Sequence, residues 1–113
     1  SRFDKPVHTE IKIDNTRQML WPDHCVQGTR GADLHPDLLT AGARLILRKG
    51  MRPQLDSYSV FFENDHTTST GLAGYLRELG VTSVYLCGLA TDVCVYFSAR
   101  DAVAAGKFHI YAI

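Results

Sequence analysis

One junction constrains this chain more than any other stretch. Ser83-Val84-Tyr85-Leu86-Cys87 reads as a short, buried-type strand, and Val93 to Ala105 carries the period of a helix. Only Gly88-Leu89-Ala90-Thr91-Asp92 separates them. So short a link carries the chain from the end of a strand straight into a helix, and it places Cys94 in that helix's first turn. The first amides of a helix lack intrahelical partners, and the positive end of the dipole favours a thiolate. The same amides can hold an oxyanion once a carbonyl has been attacked. The competing reading of Cys94 is a buried core cysteine, since cysteine is among the most buried residue types.

The elements around the junction repeat its logic. Ser69 or Thr70 can cap a helix whose Leu72, Leu76 and Leu79 share one face, and Gly80 is a good C-terminal stop. Gly106 ends the Cys94 helix, and Phe108 to Ile113 reads as a last strand. Upstream, Arg44-Leu45-Ile46-Leu47-Arg48 reads as a buried strand with Lys49-Gly50 just past its end. Strand, helix, strand, helix, strand with short links implies parallel pairing through right-handed crossovers. The fold class is α/β, a mostly parallel sheet with helices on both faces. Ligands in such sheets gather beyond the carboxyl ends of the strands. Lys49 and Cys94 each follow such an end, so both can face one crevice. By itself Lys49 reads more readily as a solvated lysine at a strand exit.

The remaining stretches are less regular. Val7 to Asp14 alternates as an edge strand with one wet face, and Asn15-Thr16-Arg17 reads as a turn. Met19 to Thr29 has neither helical nor strand period and gathers Trp21, His24 and Cys25 in a loop, the kind of segment that often carries function. Alone, His24 reads as a structural histidine and Trp21 as a partly buried ring. His35-Pro36-Asp37 suggests one helical turn with Pro36 at its first position. Met51 to Thr68 is a long loop with an apolar middle, Asp56 to Phe62, and a loop of that length suggests a function.

Composition narrows the partners. Twelve basic and twelve acidic residues cancel, which argues against nucleic acid or an anionic membrane. No apolar run approaches the roughly 18–20 residues of a membrane span. Three cysteines, Cys25, Cys87 and Cys94, do not make a disulfide framework, so a cytoplasmic, reducing location is expected. They form no CxxC pair, which disfavours a thiol redox protein. Ser1 and the final strand suggest a segment of a longer protein.

Three motifs in order resemble the isochorismatase-like cysteine hydrolases, specifically their nicotinamidase/pyrazinamidase branch. Trp21-Pro22-Asp23-His24-Cys25-Val26-Gln27-Gly28-Thr29 looks like the branch's metal-site loop. Lys49-Gly50 with Asp56-Ser57-Tyr58-Ser59 looks like the catalytic-lysine segment, and Gly88 to Val95 is similar to the nucleophile segment. The resemblance implies a parallel sheet of about six strands between helices. It implies an Asp-Lys-Cys triad, with Cys94 as nucleophile and Lys49 as its partner, and a cis Leu89–Ala90 bond that turns an amide toward the oxyanion. Ala90 and Cys94 would supply the oxyanion amides. Trp21, Leu89, Ala90 and Tyr58 would line the site for a small aromatic amide, and His24 would be one ligand of a divalent metal (Zn, Fe or Mn). The implied reaction converts nicotinamide to nicotinate and ammonia through a cysteine thioester, a step of pyridine-nucleotide salvage.

The departures are as specific as the matches. The family's aspartate, at the end of a first strand, has no counterpart here, and neither has its Asp-x-His metal pair. Residues 1–113 are therefore expected to be one partial domain, lacking the N-terminal strand and the C-terminal part, with metal weakly bound or absent. Two alternatives stay open: another hydrolase of the superfamily, and a non-catalytic α/β binding or assembly module. Oligomeric state is open as well.

Overall fold

A computed structural model describes residues 4–106 and 108–113. The chain forms two compact units, Ser1–Ile46 and Leu47–Ile113.

The first unit is built on a hairpin. Strand β1, Glu10–Ile13, pairs antiparallel with β2, Thr16–Met19, in a register that sets Glu10 opposite Met19 and Ile13 opposite Thr16. Asp14 and Asn15 both have positive φ, 46° and 67°, as a two-residue loop between right-twisted strands requires. Asp and Asn tolerate that conformation better than most residues. Bonds from His8 N–H to Leu20 O and from Leu20 N–H to Thr9 O continue the pairing beyond β1. The turn therefore sits one residue earlier than the sequence suggests, and Thr16–Met19 is a strand rather than turn and loop. Thr-Arg-Gln-Met has no alternating apolar signal; its conformation is set by β1 across the ladder. An i→i+3 bond from Leu38 N–H to His35 O closes the turn foreseen at Pro36. A short 3₁₀ turn, Arg30–Ala32, precedes it.

Arg44–Arg48 is not a strand. It has no ladder partner among the described residues, and Leu45 and Ile46 are about half exposed. An apolar run of this length becomes a strand only when another strand pairs with it, and among the described residues none does.

The second unit carries the α/β pattern. Helix α1, Leu72–Glu78, leads to β3, Ser83–Leu86; a π-turn, Thr91–Val95, opens helix α2, Tyr96–Ala104; strand β4 is His109–Ala112. Strands β3 and β4 pair in parallel, Ser83 opposite His109 and Leu86 opposite Ala112, as the short strand–helix–strand spacing requires. Both hydroxyls foreseen as caps are used before α1: Ser69 Oγ accepts the Gly71 N–H and Thr70 Oγ1 accepts that of Leu72. Gly80, at φ 68°, ends α1 in the left-handed conformation, with Val81 N–H donating back to Leu76 O.

Phe61 is the fully buried side chain at the centre, packed with Ala73 of α1, Ala102 of α2 and Phe108 ahead of β4. Val84 and Ile110 close the cluster from the strands, while Tyr85 and Tyr111 stack on the other, exposed face, 4.7 Å between centroids. The long Met51–Thr68 loop thus supplies the heart of the core. It can, because its polar backbone is satisfied locally. Thr70 N–H donates to Phe61 O, Phe61 N–H to Ser59 Oγ, and Glu63 N–H to Thr68 O. Burying such a ring contributes about 1.5–3 kcal/mol.

Asp65 closes the tip of this loop. Its Oδ1 accepts the amides of Thr67 and Thr68, and its Oδ2 accepts the Thr68 hydroxyl at 2.6 Å. Partial burial pushes its carboxyl upward, but the bonds from Thr68 and Thr67 outweigh that and hold it well below the usual range. A lowered folded-state pKa means the carboxylate stabilises the fold above its unfolded value of about 3.9 and ceases to as pH falls through the folded value. Asp65→Ala is therefore expected to lower denaturant stability at neutral pH, with the gap to the wild type closing only well below pH ~3.9. Urea titrations at several pH values measure it.

Candidate active site

β3 ends at Leu86, and the chain leaves the sheet through Gly88. Its φ of 133° belongs to glycine, although a Cβ there would meet nothing within 4 Å. Conformation, not space, therefore selects the residue. Leu89–Ala90 is a cis peptide bond, as the resemblance implies. The helical turn begins at once, and Cys94 lies in it, half-buried.

That turn has π pitch rather than α pitch. Ala90 O accepts the amides of Val93 at 3.2 Å and Val95 at 3.1 Å, so its bonds straddle the Cys94 amide. Regular α geometry follows from Tyr96. π-turns of this kind recur at functional sites. Nothing in the sequence distinguishes this pitch from an ordinary helix start.

Lys49 reaches the same place from the other side of the unit's sequence. Its half-buried Nζ donates to Ser57 O at 2.7 Å and lies 3.5 Å from Cys94 Sγ, within hydrogen-bond range for sulfur. The pairing foreseen from the two strand ends is thus made, although Arg44–Arg48 is not a strand. Among the described residues no carboxylate forms a salt bridge with Lys49. A cation at a thiol favours the thiolate, the form that attacks carbonyls.

Tyr58 is half-buried, with its ring 5.4 Å from that of Phe97 on α2 and its N–H donating to Asn64 Oδ1. Leu89 is 90% exposed and Ala90 is exposed, so both are open to a ligand. Sequence reasoning missed Ser98. It is buried, its hydroxyl donates to Cys94 O at 2.7 Å, and it accepts the Val60 N–H at 3.1 Å. The available signal was its position four residues after Cys94, on the same helical face.

In the first unit, Trp21 is half-buried, edge-on to His8 at 5.7 Å. His24 is exposed, with Nδ1 2.6 Å from Pro22 O. A carbonyl only accepts, so Nδ1 carries the proton, which leaves the Nε2 lone pair available for a ligand. One imidazole is not a metal centre, because even catalytic zinc sites keep about three protein ligands. Among the described residues no group of three His, Cys, Asp or Glu side chains could hold a metal ion. No helix in the described residues is long and apolar enough to cross a membrane.

The isochorismatase domain family model matches residues 7–112. A nicotinamidase of Acinetobacter baylyi is 58% identical over 106 residues, which are 94% of this chain and 50% of that protein. The solved Acinetobacter baumanii nicotinamidase pyrazinamidase superimposes with a TM-score of 0.90 at 50% identity, covering 97% of this chain and 53% of its own. PnC1 from L. infantum, solved in complex with nicotinate, has a TM-score of 0.77 at 47% identity and covers 81% of this chain and 46% of its own. The chain therefore spans about half the length of the relatives it matches.

Proposed function

From the premise that the chain belongs to the isochorismatase domain family, we propose that the protein it represents at full length is an amidohydrolase converting nicotinamide and close analogues such as pyrazinamide to the acid and ammonia. The observation that carries this reading is the 3.5 Å approach of Lys49 Nζ to Cys94 Sγ at the opening of a helix. The nicotinate bound to the L. infantum relative supports the pyridine ring. The family match runs across both units, which supports one incomplete hydrolase domain over residues 1–113.

The Cys94 thiolate attacks the carboxamide carbon, and the carbonyl oxygen takes the negative charge. The Ala90 and Cys94 amides are assigned to that oxygen. Collapse breaks the C–N bond; the nitrogen takes a proton and leaves as ammonia. Water then attacks the thioester carbon and gives up a proton; the C–S bond breaks, the Cys94 sulfur takes that proton, and the acid departs. Lys49 holds the thiolate and the proton it gave up close together. Tyr58, Leu89 and Ala90 are assigned to the aromatic amide, and the family resemblance alone adds Trp21. His24 is assigned to a divalent cation, whose chemistry when bound would be to hold the ring nitrogen. Its other ligands, and the choice among zinc, iron and manganese, lie outside these residues.

Lys49→Met in the full-length protein is expected to lower kcat for ammonia release by about 100-fold or more, as loss of a proton-handling group does. Unchanged kcat would remove Lys49 from the mechanism.

A further inference from the structure

We propose that Ser98 is a positioning residue that sets Cys94 against Lys49; the proposal rests on the amidase reading above. A serine hydroxyl bonded to the carbonyl four residues back is common in helices and by itself means little. Here the same hydroxyl makes a second bond, out of the helix, to the Val60 N–H. Val60 belongs to the stretch that also holds the lysine, since Ser57 O accepts Lys49 Nζ. Nucleophile and cation are thereby referred to one short piece of backbone.

That piece is largely buried and bonded within itself. Ser57, Ser59 and Phe61 are all buried. Ser57 Oγ donates to Ser59 O, and Ser59 Oγ accepts the Phe61 N–H. Val60 is held at both ends of its peptide, its N–H by Ser98 and its carbonyl by Thr70 Oγ1 at 2.6 Å. On the other side, Cys94 lies in the π-pitched turn, where the two bonds to Ala90 O straddle its amide. Ser98 supplies the tie to the loop at that point, through the Cys94 carbonyl. Without the hydroxyl, Cys94 keeps its helix and its contact with Lys49 but loses the backbone tie, through Val60, to the piece that holds the lysine. A misplacement of about 1 Å in such a pair costs on the order of 100-fold in rate.

The test uses the full-length protein with Ser98→Ala, Ser98→Thr and Ser98→Val. Thr and Val have nearly the same shape, and Thr in a helix can still bond the carbonyl four residues back. The comparison therefore isolates the hydroxyl even where Ser98→Ala does not fold. Readouts are kcat and KM for nicotinamide, the melting temperature, and the rate of Cys94 alkylation by iodoacetamide, assigned by peptide mapping. Ser98→Ala and Ser98→Val are expected to lose about 100-fold in kcat with KM little changed, and to alkylate Cys94 more slowly. Ser98→Thr is expected to restore most of both. A Val variant as active as the Thr variant, or an Ala variant that melts lower yet keeps kcat and alkylation, would overturn the proposal. The alkylation readout does not depend on nicotinamide being the substrate. Loss of turnover on every amide in the wild type would sink the amidase reading while the Ser98 comparison still stands.

Discussion

Cys94→Ala in the full-length protein is expected to lower ammonia release from nicotinamide by about 10⁴-fold or more, with no loss of fold. Removing the nucleophile of a covalent hydrolase costs on the order of 10⁶ in kcat, since the remaining groups of the unit have nothing to act on. No neighbour replaces it. Cys87 lies just past β3, before the turn, and Lys49 donates to Ser57 O and the Cys94 sulfur rather than to any other thiol. The fold is spared because Cys94 is only half-buried and alanine is the best helix former. Matching circular dichroism and melting curves with a collapsed rate are the expected result. A variant retaining more than a tenth of the rate would exclude the thioester route.

The second large effect concerns the 113-residue chain itself. Assayed alone, it is expected to hydrolyse nicotinamide about 10²–10⁴-fold more slowly than the full-length protein. Lys49 beside a carboxylate can pass a proton from thiol to leaving nitrogen; among the described residues Lys49 bonds to the Ser57 carbonyl and Cys94, with no carboxylate to complete that relay. The leaving nitrogen must be protonated before the C–N bond breaks, so this step suffers directly. With His24 as the sole assigned ligand, the pyridine ring also loses the anchoring that makes attack effectively unimolecular. Cys94 remains beside its cation, so alkylation by iodoacetamide should persist in the isolated chain. Ammonia release by both proteins under one set of conditions decides the matter; equal rates would show that this half of the family's length holds a complete site.

Where the signal is local, the sequence reads well. Gly80 and Gly106 mark the helix ends because a left-handed residue after a helix selects glycine, and both helices stop there. The β3–Cys94 junction is legible because few residues separate two clear periods. Pairing is a different matter. Thr16–Met19 becomes a strand through β1, and Leu45–Leu47, with a stronger apolar pattern, does not, since no strand among the described residues pairs with it. Burial inside the long loop was hidden too. Phe61 reads as one apolar residue among several, and only the closing bonds from Thr70 and Ser59 show why it goes to the centre. Of the site, Lys49 and Cys94 were legible by position along the chain. Ser98 was not, because its importance lies in a bond to Val60, 38 residues away in sequence.

As the nucleophile, Cys94 must carry the acyl group between the two halves of the reaction. Full-length protein turning over nicotinamide, quenched in acid and digested, tests it by mass spectrometry. A nicotinoyl thioester is expected on the Cys94 peptide, with the Cys25 and Cys87 peptides unmodified, and no adduct in Cys94→Ala. Lys49→Met, which slows acylation, should accumulate less of it. Steady turnover with a nicotinoyl group on another residue would contradict the account.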